Sequence, residues 1–298
     1  MYGSADIKKH LYIGANKMNI LMKKYKDNLN NEEKSPNTIE KYIRDIGRFI
    51  SYLEECDVDN IQGITKENVI AYKNKLISEN YASRSINSIL ASINSFLCYV
   101  GKKDCMAKNI RIQRQIYCSE EQELKKTEYL YLLKTAEKTG KKRLSLIIQT
   151  ICSSGIRVSE LKFITVEAVR CGKAIVSLKG KTRYIFIVNK LRCILLKYAK
   201  SNGIESGSIF VTSSGKNICR SNIWREMKKL CEDTNINPKK VYPHNLRHLF
   251  ARTFYELQKD IVKLADVLGH SSINTTRIYI ISSGYEHQRN MENMRLIL

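Results

Sequence analysis

The segment Leu268–Ile280 reads LGHSSINTTRIYI and carries His270 and Tyr279 nine positions apart. On one continuous helix of 3.6 residues per turn those two side chains would sit roughly 180° apart. Gly269 is a ready helix terminator, and Ser271, Ser272 or Asn274 can cap a new helix. A break there would let both side chains face one cleft. Two further stretches hold residues of related type. SGIRVSEL (154–161) sets Arg157 just after Gly155, with Glu160 three positions on. PHNLRH (243–248) opens on Pro243 and puts His244 and Arg247 on one helical face at i, i+3, with His248 beside them. Each has a bland reading: an Arg–Glu pair, a helix-start histidine, a core tyrosine. Taken together in one chain, guanidinium groups suit phosphate oxygens and imidazoles suit proton movement.

The elements that must position these residues are mostly helices. SPNTIEKYIRDIGRFISYLEE starts with Ser35 as N-cap and Pro36 in the first helical position. Its Ile39, Ile43, Ile46, Phe49, Ile50 and Leu53 recur at helical spacing. TKENVIAYKNKLISEN and SRSINSILASINSFLCYVG repeat the pattern, the latter closing on Gly101. With NILMKKYKDNL ahead of them, they predict a four-helix domain over 18–103. Periodicity is lost over 104–122, a basic stretch expected to be a linker. The remainder, 123–298, is expected to form a second, α-rich domain. There KAIVSL and RYIFIV flank Lys179-Gly180-Lys181-Thr182 and predict a β-hairpin, the one small antiparallel sheet. The expected fold class is therefore mainly α.

Charge narrows the partner. Lys plus Arg number 51 against 29 Asp plus Glu, a net charge of +22. Residues 1–120 hold 19 basic and 14 acidic side chains, and the rest hold 32 and 15, so the second part carries the stronger field. That field fits a polyanion, above all nucleic acid. Nine cysteines, an odd number with no C-x-x-C spacing, fit neither a disulfide framework nor a zinc site. No metal or other cofactor is expected. No signal pattern or apolar run of membrane-spanning length is present, so a cytoplasmic protein without a membrane partner is expected.

SGIRVSEL, HNLRH and LGHSSINTTRIY, in that order, resemble the tyrosine recombinase or phage integrase family, and most of all its Xer-type members and the short integrases of mobile elements. The resemblance spans residues 20–298. Ile156 stands where leucine is commoner, Tyr242 where Ser or Thr is usual, and the hairpin is about one residue shorter than in many relatives. The resemblance implies a SAM-like helical core-binding domain joined to a catalytic domain, the two clamping DNA. It implies a site-specific recombinase that cuts and rejoins strands through a covalent 3′-phosphotyrosyl link.

Carried over residue by residue, the catalytic set is Tyr279, Arg157, Lys179, His244, Arg247 and His270. Tyr279 would attack the phosphate, Arg157 and Arg247 would bind it, and His244 would relay the tyrosine proton. Lys179 would protonate the leaving 5′-oxygen, with Lys181 as its rival because the hairpin is short. His270 would hydrogen-bond a phosphate oxygen. Glu160 would orient the site, and His248 matches a family position too, as a supporting residue whose favoured reading is structural. Ser83, Arg84 and Asn87 at one helix start, and Arg220, Ser221, Asn222 and Arg225 at another, are candidate DNA contacts or, equally, solvated helix faces. The implied partners are a double-stranded recombination site and three further copies of the chain, a homo-tetramer linked through the C-terminal exchange helix. Two alternatives stay open at this point: a non-catalytic DNA-binding protein on the same fold, and a relaxing enzyme like type IB topoisomerases.

Overall fold

The computed structural model describes residues 18, 20–112, 123–178, 181–280 and 292–294, with the side chains of Leu178 and Lys181 left out. The chain divides into two compact units, Met1–Arg114 and Gln115–Leu298.

The first unit holds a helix over residues 20–31 (α1), then α2 (Pro36–Glu55), α3 (Lys66–Ser78) and α4 (Ser83–Tyr99). Ser35 caps α2 by accepting from the Thr38 N–H, and Pro36 occupies its first turn. Thr65 and Asn68 form a reciprocal capping box at α3. The apolar stripe of α2 closes on that of α4: Ile46, Phe49 and Leu53 are fully buried, as are Leu90, Ile93, Phe96 and Leu97. Gly101 follows α4 with a φ of 78°, the left-handed conformation expected after a helix end.

The expected linker over 104–122 is not free along its first half. Cys105 and Ala107 are buried in the core of the first unit. Asn94 on α4 pairs in both directions with the backbone of Ala107, and Asn87 does the same with Ile110. Side-chain amides hold this stretch where backbone periodicity would not reveal it. Residues 113–122 lie outside the description.

The second unit runs α5 (Lys126–Lys138), α6 (Lys142–Ser154), a 3₁₀ helix (Val158–Phe163), α7 (Val166–Cys171), β1 (Lys173–Leu178), β2 (Lys181–Phe186), α8 (Asn189–Ser201), α9 (Arg220–Glu232), α10 (Pro243–Gln258), α11 (Ile261–Leu268) and α12 (Ile273–Arg277). Its core gathers Leu132, Ile147, Ile151, Leu195, Phe210, Met227 and Leu246. β1 and β2 pair antiparallel, with Leu178 opposite Lys181 and Lys173 opposite Phe186. The second strand therefore begins two residues earlier than the apolar run RYIFIV suggested, because ladder pairing extends through polar Lys181 and Thr182. Along β2 and one residue past its end the pleat alternates: Ile185 and Ile187 are buried, while Tyr184 and Phe186 face solvent.

Candidate active site

Three chain turns bring the site together. The first follows α6. Its buried face ends at Gly155, which takes a φ of 62°. A Cβ there would lie 2.4 Å from the Phe250 ring, so the position suits glycine alone. The chain then extends through Arg157 into the 3₁₀ helix. Glu160, 1% exposed, accepts the Arg157 N–H at 2.7 Å and Arg157 Nη1 at 3.0 Å. Arg157 itself stays 42% exposed.

The second segment is α10, which packs against α6. Pro243 starts it, and Arg247 lies 1% exposed in its second turn. Arg247 Nη1 donates to the Gly155 carbonyl, closing on the first turn. Its Nη2 donates to Leu268 O at 2.7 Å and meets His270 Nε2 at 2.9 Å. Its Nε is buried with no partner among the described residues. Burial first, then the field of Arg157, lowers the Arg247 pKa to about 10, so it remains a cation at neutral pH.

The third turn answers the question raised by Leu268–Ile280. α11 ends at Gly269 with a φ of 64°, and α12 starts after Ser272. The break brings His270 and Tyr279 to one place, with ring centroids 5.1 Å apart. Tyr279 is 7% exposed and packs among Ala251, Leu264 and Leu268. Its ring stacks on His248 at 4.2 Å, meets His244 at 5.3 Å and lies 5.8 Å from Arg247 Cζ. His270 Nδ1 lies 2.9 Å from Thr276 Oγ1, and Thr276 is fully buried.

The electrostatics keep all three histidines neutral. Burial, followed by His244, Arg252 and Arg247, pushes His248 down to about 3. Burial and then Arg247, Arg157 and Arg183 push His270 down to about 4. His244 is lowered by desolvation, then by Arg247, Arg220 and Arg157. Neutral imidazole next to a phenol is a proton acceptor in waiting.

Of the expected site residues, Arg157, Glu160, His244, Arg247, His248, His270 and Tyr279 therefore share one cluster. Lys179 lies outside the described residues, and of Lys181 only the backbone is described. Ser83, Arg84, Arg220, Ser221 and Arg225 are exposed at their helix starts, and Asn222 is half-buried. Asn87 differs: both ends of its amide are engaged by Ile110. Among the described residues no group of His, Cys, Asp or Glu could hold a metal, and no helix is long and apolar enough to cross a membrane. The eight described cysteines are free.

Two residues of the site escaped the sequence reading. Thr276 is one. The other is Arg183, which ion-pairs with Glu160 and donates from Nη1 to Val267 O at 2.7 Å. A signal for Arg183 did exist: it has the same strand parity as buried Ile185 and Ile187, and an arginine on the inward side of a strand needs a partner.

Comparison with known proteins finds relatives for both units. Residues 122–284 match the phage integrase family, and residues 22–103 match the phage integrase N-terminal SAM-like domain. The tyrosine recombinase XerA of Pyrococcus furiosus is 30% identical over 258 residues, covering 83% of this chain and 84% of that protein. XerD of Staphylococcus haemolyticus is 28% identical over 264 residues, covering 82% and 88%. A lambda integrase tetramer bound to a Holliday junction has a similar fold, with a TM-score of 0.69 at 17% identity over 88% of this chain and 76% of that one.

Proposed function

The chain belongs to the phage integrase family of site-specific tyrosine recombinases, enzymes that cut and rejoin DNA strands, and from that premise we propose how its own residues divide the work. Tyr279 Oη attacks the scissile phosphorus. The phenol proton passes to His244, the bond from phosphorus to the 5′-oxygen breaks, and that oxygen takes a proton from Lys179. A 3′-phosphotyrosyl ester and a free 5′-hydroxyl result. The 5′-hydroxyl of a partner strand then reverses the step, and the ester conserves the bond energy meanwhile. Lys181 is the alternative proton donor.

Arg157 and Arg247 neutralise charge building on the phosphate, since guanidinium groups grip its oxygens two at a time and stay protonated. His270 completes the phosphate pocket once Arg247 turns toward the DNA: the freed Nε2 takes up a proton and donates to a phosphate oxygen. Glu160 sets Arg157, and His248 supports the Tyr279 ring from below. Ser83, Arg84, Arg220, Ser221, Asn222 and Arg225 contact the duplex. The units over 18–103 and 123–298 act as core-binding and catalytic domains on a double-stranded site, in a homo-tetramer coupled through the C-terminal segment. That segment falls outside the described residues apart from 292–294. We place the protein in the cytosol, acting in movement of a mobile element or in Xer-like resolution; element ends flanking the coding region would decide between these.

One observation carries this division: two separate stretches of chain converge so that the Tyr279 ring lies within 5.3 Å of the His244, His248 and His270 rings. The test is Tyr279→Phe on a nicked duplex. The variant should bind DNA as the parent does and form no protease-sensitive protein–DNA adduct. An adduct from Tyr279→Phe would move the nucleophile to another residue.

A further inference from the structure

The division of work above leaves Arg183 without a role. Its guanidinium pairs through Nη2 with Glu160 Oε2 and donates through Nη1 to Val267 O. Its side chain also lies so close against the α11 turn that a Cβ on Gly269 would come within 2.3 Å of Arg183 Cδ. Arg183 thus joins three things: the hairpin strand, the carboxylate under Arg157, and the turn that carries His270.

Glu160 is the pivot. Burial works against its charge, while the Arg157 N–H, the Arg183 charge and the Arg157 guanidinium together hold its pKa below the usual range. One buried carboxylate therefore faces two guanidiniums. A buried carboxylate left short of a partner is costly, and it draws the nearest cation into a two-pronged pair. With Arg183 in place that demand is met. Arg157 then needs to lend only Nη1, and the rest of its guanidinium stays open to solvent.

We propose that Arg183 is a positioning residue for strand cleavage: by satisfying Glu160 it leaves the Arg157 guanidinium free to meet the scissile phosphate. The proposal rests on the phosphoryl-transfer reading above, in which Arg157 faces the phosphate. Removing Arg183 lets Arg157 collapse onto Glu160. The defect should then lie in charge neutralisation, not in folding or DNA affinity.

The test measures adduct formation on nicked duplexes carrying either an ordinary scissile phosphate or a methylphosphonate. The methylphosphonate has lost one non-bridging oxygen charge and depends less on Arg157. Arg183→Gln should slow cleavage of the phosphate about 100-fold, the scale of a misplaced catalytic group. On the methylphosphonate the loss should be under about 5-fold, because little charge remains to be met. Glu160→Gln added to Arg183→Gln should restore at least about tenfold of the phosphate rate, because the carboxylate that captures Arg157 is gone. Gel-shift affinity should stay within about threefold of the parent.

Equal losses on both substrates, or a double variant no faster than Arg183→Gln, would overturn the proposal. Where Arg183→Gln melts below the assay temperature, Arg183→Lys serves instead. It keeps a cation for Glu160 but cannot also reach Val267 O, and it should show a smaller loss with the same contrast between substrates. A parent protein that forms no adduct on either substrate would sink the phosphoryl-transfer reading, and the proposal with it. That result is distinct from a failure of the Arg183 variants alone.

Discussion

His270 accepts a hydrogen bond from Arg247, with Nε2 lying 2.9 Å from the guanidinium Nη2. A guanidinium only donates, so Nε2 carries no proton. The ring proton then sits on Nδ1 and is donated to Thr276 Oγ1 at 2.9 Å. One side chain thus fixes both the charge and the tautomer of another. In this arrangement Arg247 is committed to Gly155 O, Leu268 O and His270, and Tyr279 is packed away from solvent. On the proposed division of work, Arg247 must exchange these partners for phosphate oxygens when DNA binds.

The lowered histidines make stability depend on pH. Unfolded histidine titrates near pH 6.5, about the ordinary value. In the folded chain His270 is pushed to about 4 and His248 to about 3. Between those values the unfolded state holds more protons, so stability rises with pH. Their contribution is complete above about pH 6.5 and is lost as pH falls through 4 and then 3. The melting midpoint should drop by several degrees between pH 7 and pH 4.5, measured by circular dichroism. His248→Gln should flatten that slope; an unchanged slope would mean the ring is not held neutral by its surroundings.

Thr276→Val keeps the shape of a fully buried side chain and deletes the acceptor for His270 Nδ1–H. The tautomer then loses its anchor. A lost hydrogen bond of about 1.4 kcal/mol in the transition state corresponds to about tenfold in rate. Single-turnover cleavage should slow by that order with DNA affinity unchanged. Full activity in Thr276→Val would show that the Nδ1 partner has no bearing on the chemistry.

Gly155→Ala meets two obstacles. The residue has a φ of 62°, and the new methyl would fall 2.4 Å from the Phe250 ring. Left-handed strain and the displaced ring together should cost about 2–4 kcal/mol, read by urea denaturation. Adding Phe250→Leu should recover the steric part and leave the strain. Complete recovery would show that the backbone conformation itself is not demanding.

The parts of this protein that follow a period were legible from its residues. The apolar stripe of α2, the Ser35 and Pro36 start and the Gly269 break all depend on local chemistry, and each stands where local chemistry put it. What stayed hidden depends on contacts far apart in sequence. Arg183 and Glu160 are 23 residues apart and meet only because β2 folds back on β1, which packs beside the 3₁₀ helix. α7 and the 3₁₀ helix over Val158–Phe163 are too short to show a repeat. Residues 104–112 read as a connector because asparagine amides, not an apolar period, hold them down.

Asn87 and Arg84 separate two kinds of residue on one helix. Both stood as candidate base or phosphate contacts near the start of α4. Arg84 is exposed, whereas the Asn87 amide donates to Ile110 O at 2.9 Å and accepts from the Ile110 N–H at 2.8 Å. Asn87→Ala leaves a backbone donor and acceptor unpaired in a partly buried place, at a cost of about 1–3 kcal/mol. It should lower the melting point of the isolated DNA-free protein and loosen hydrogen-exchange protection at Ile110. Arg84→Ala should do neither; it should weaken DNA binding and reduce the salt dependence of affinity by about one counterion. The two variants measured side by side decide the assignment. If Asn87→Ala changes base preference at one position of the site with no loss of thermal stability, its amide leaves Ile110 on binding and reads DNA after all.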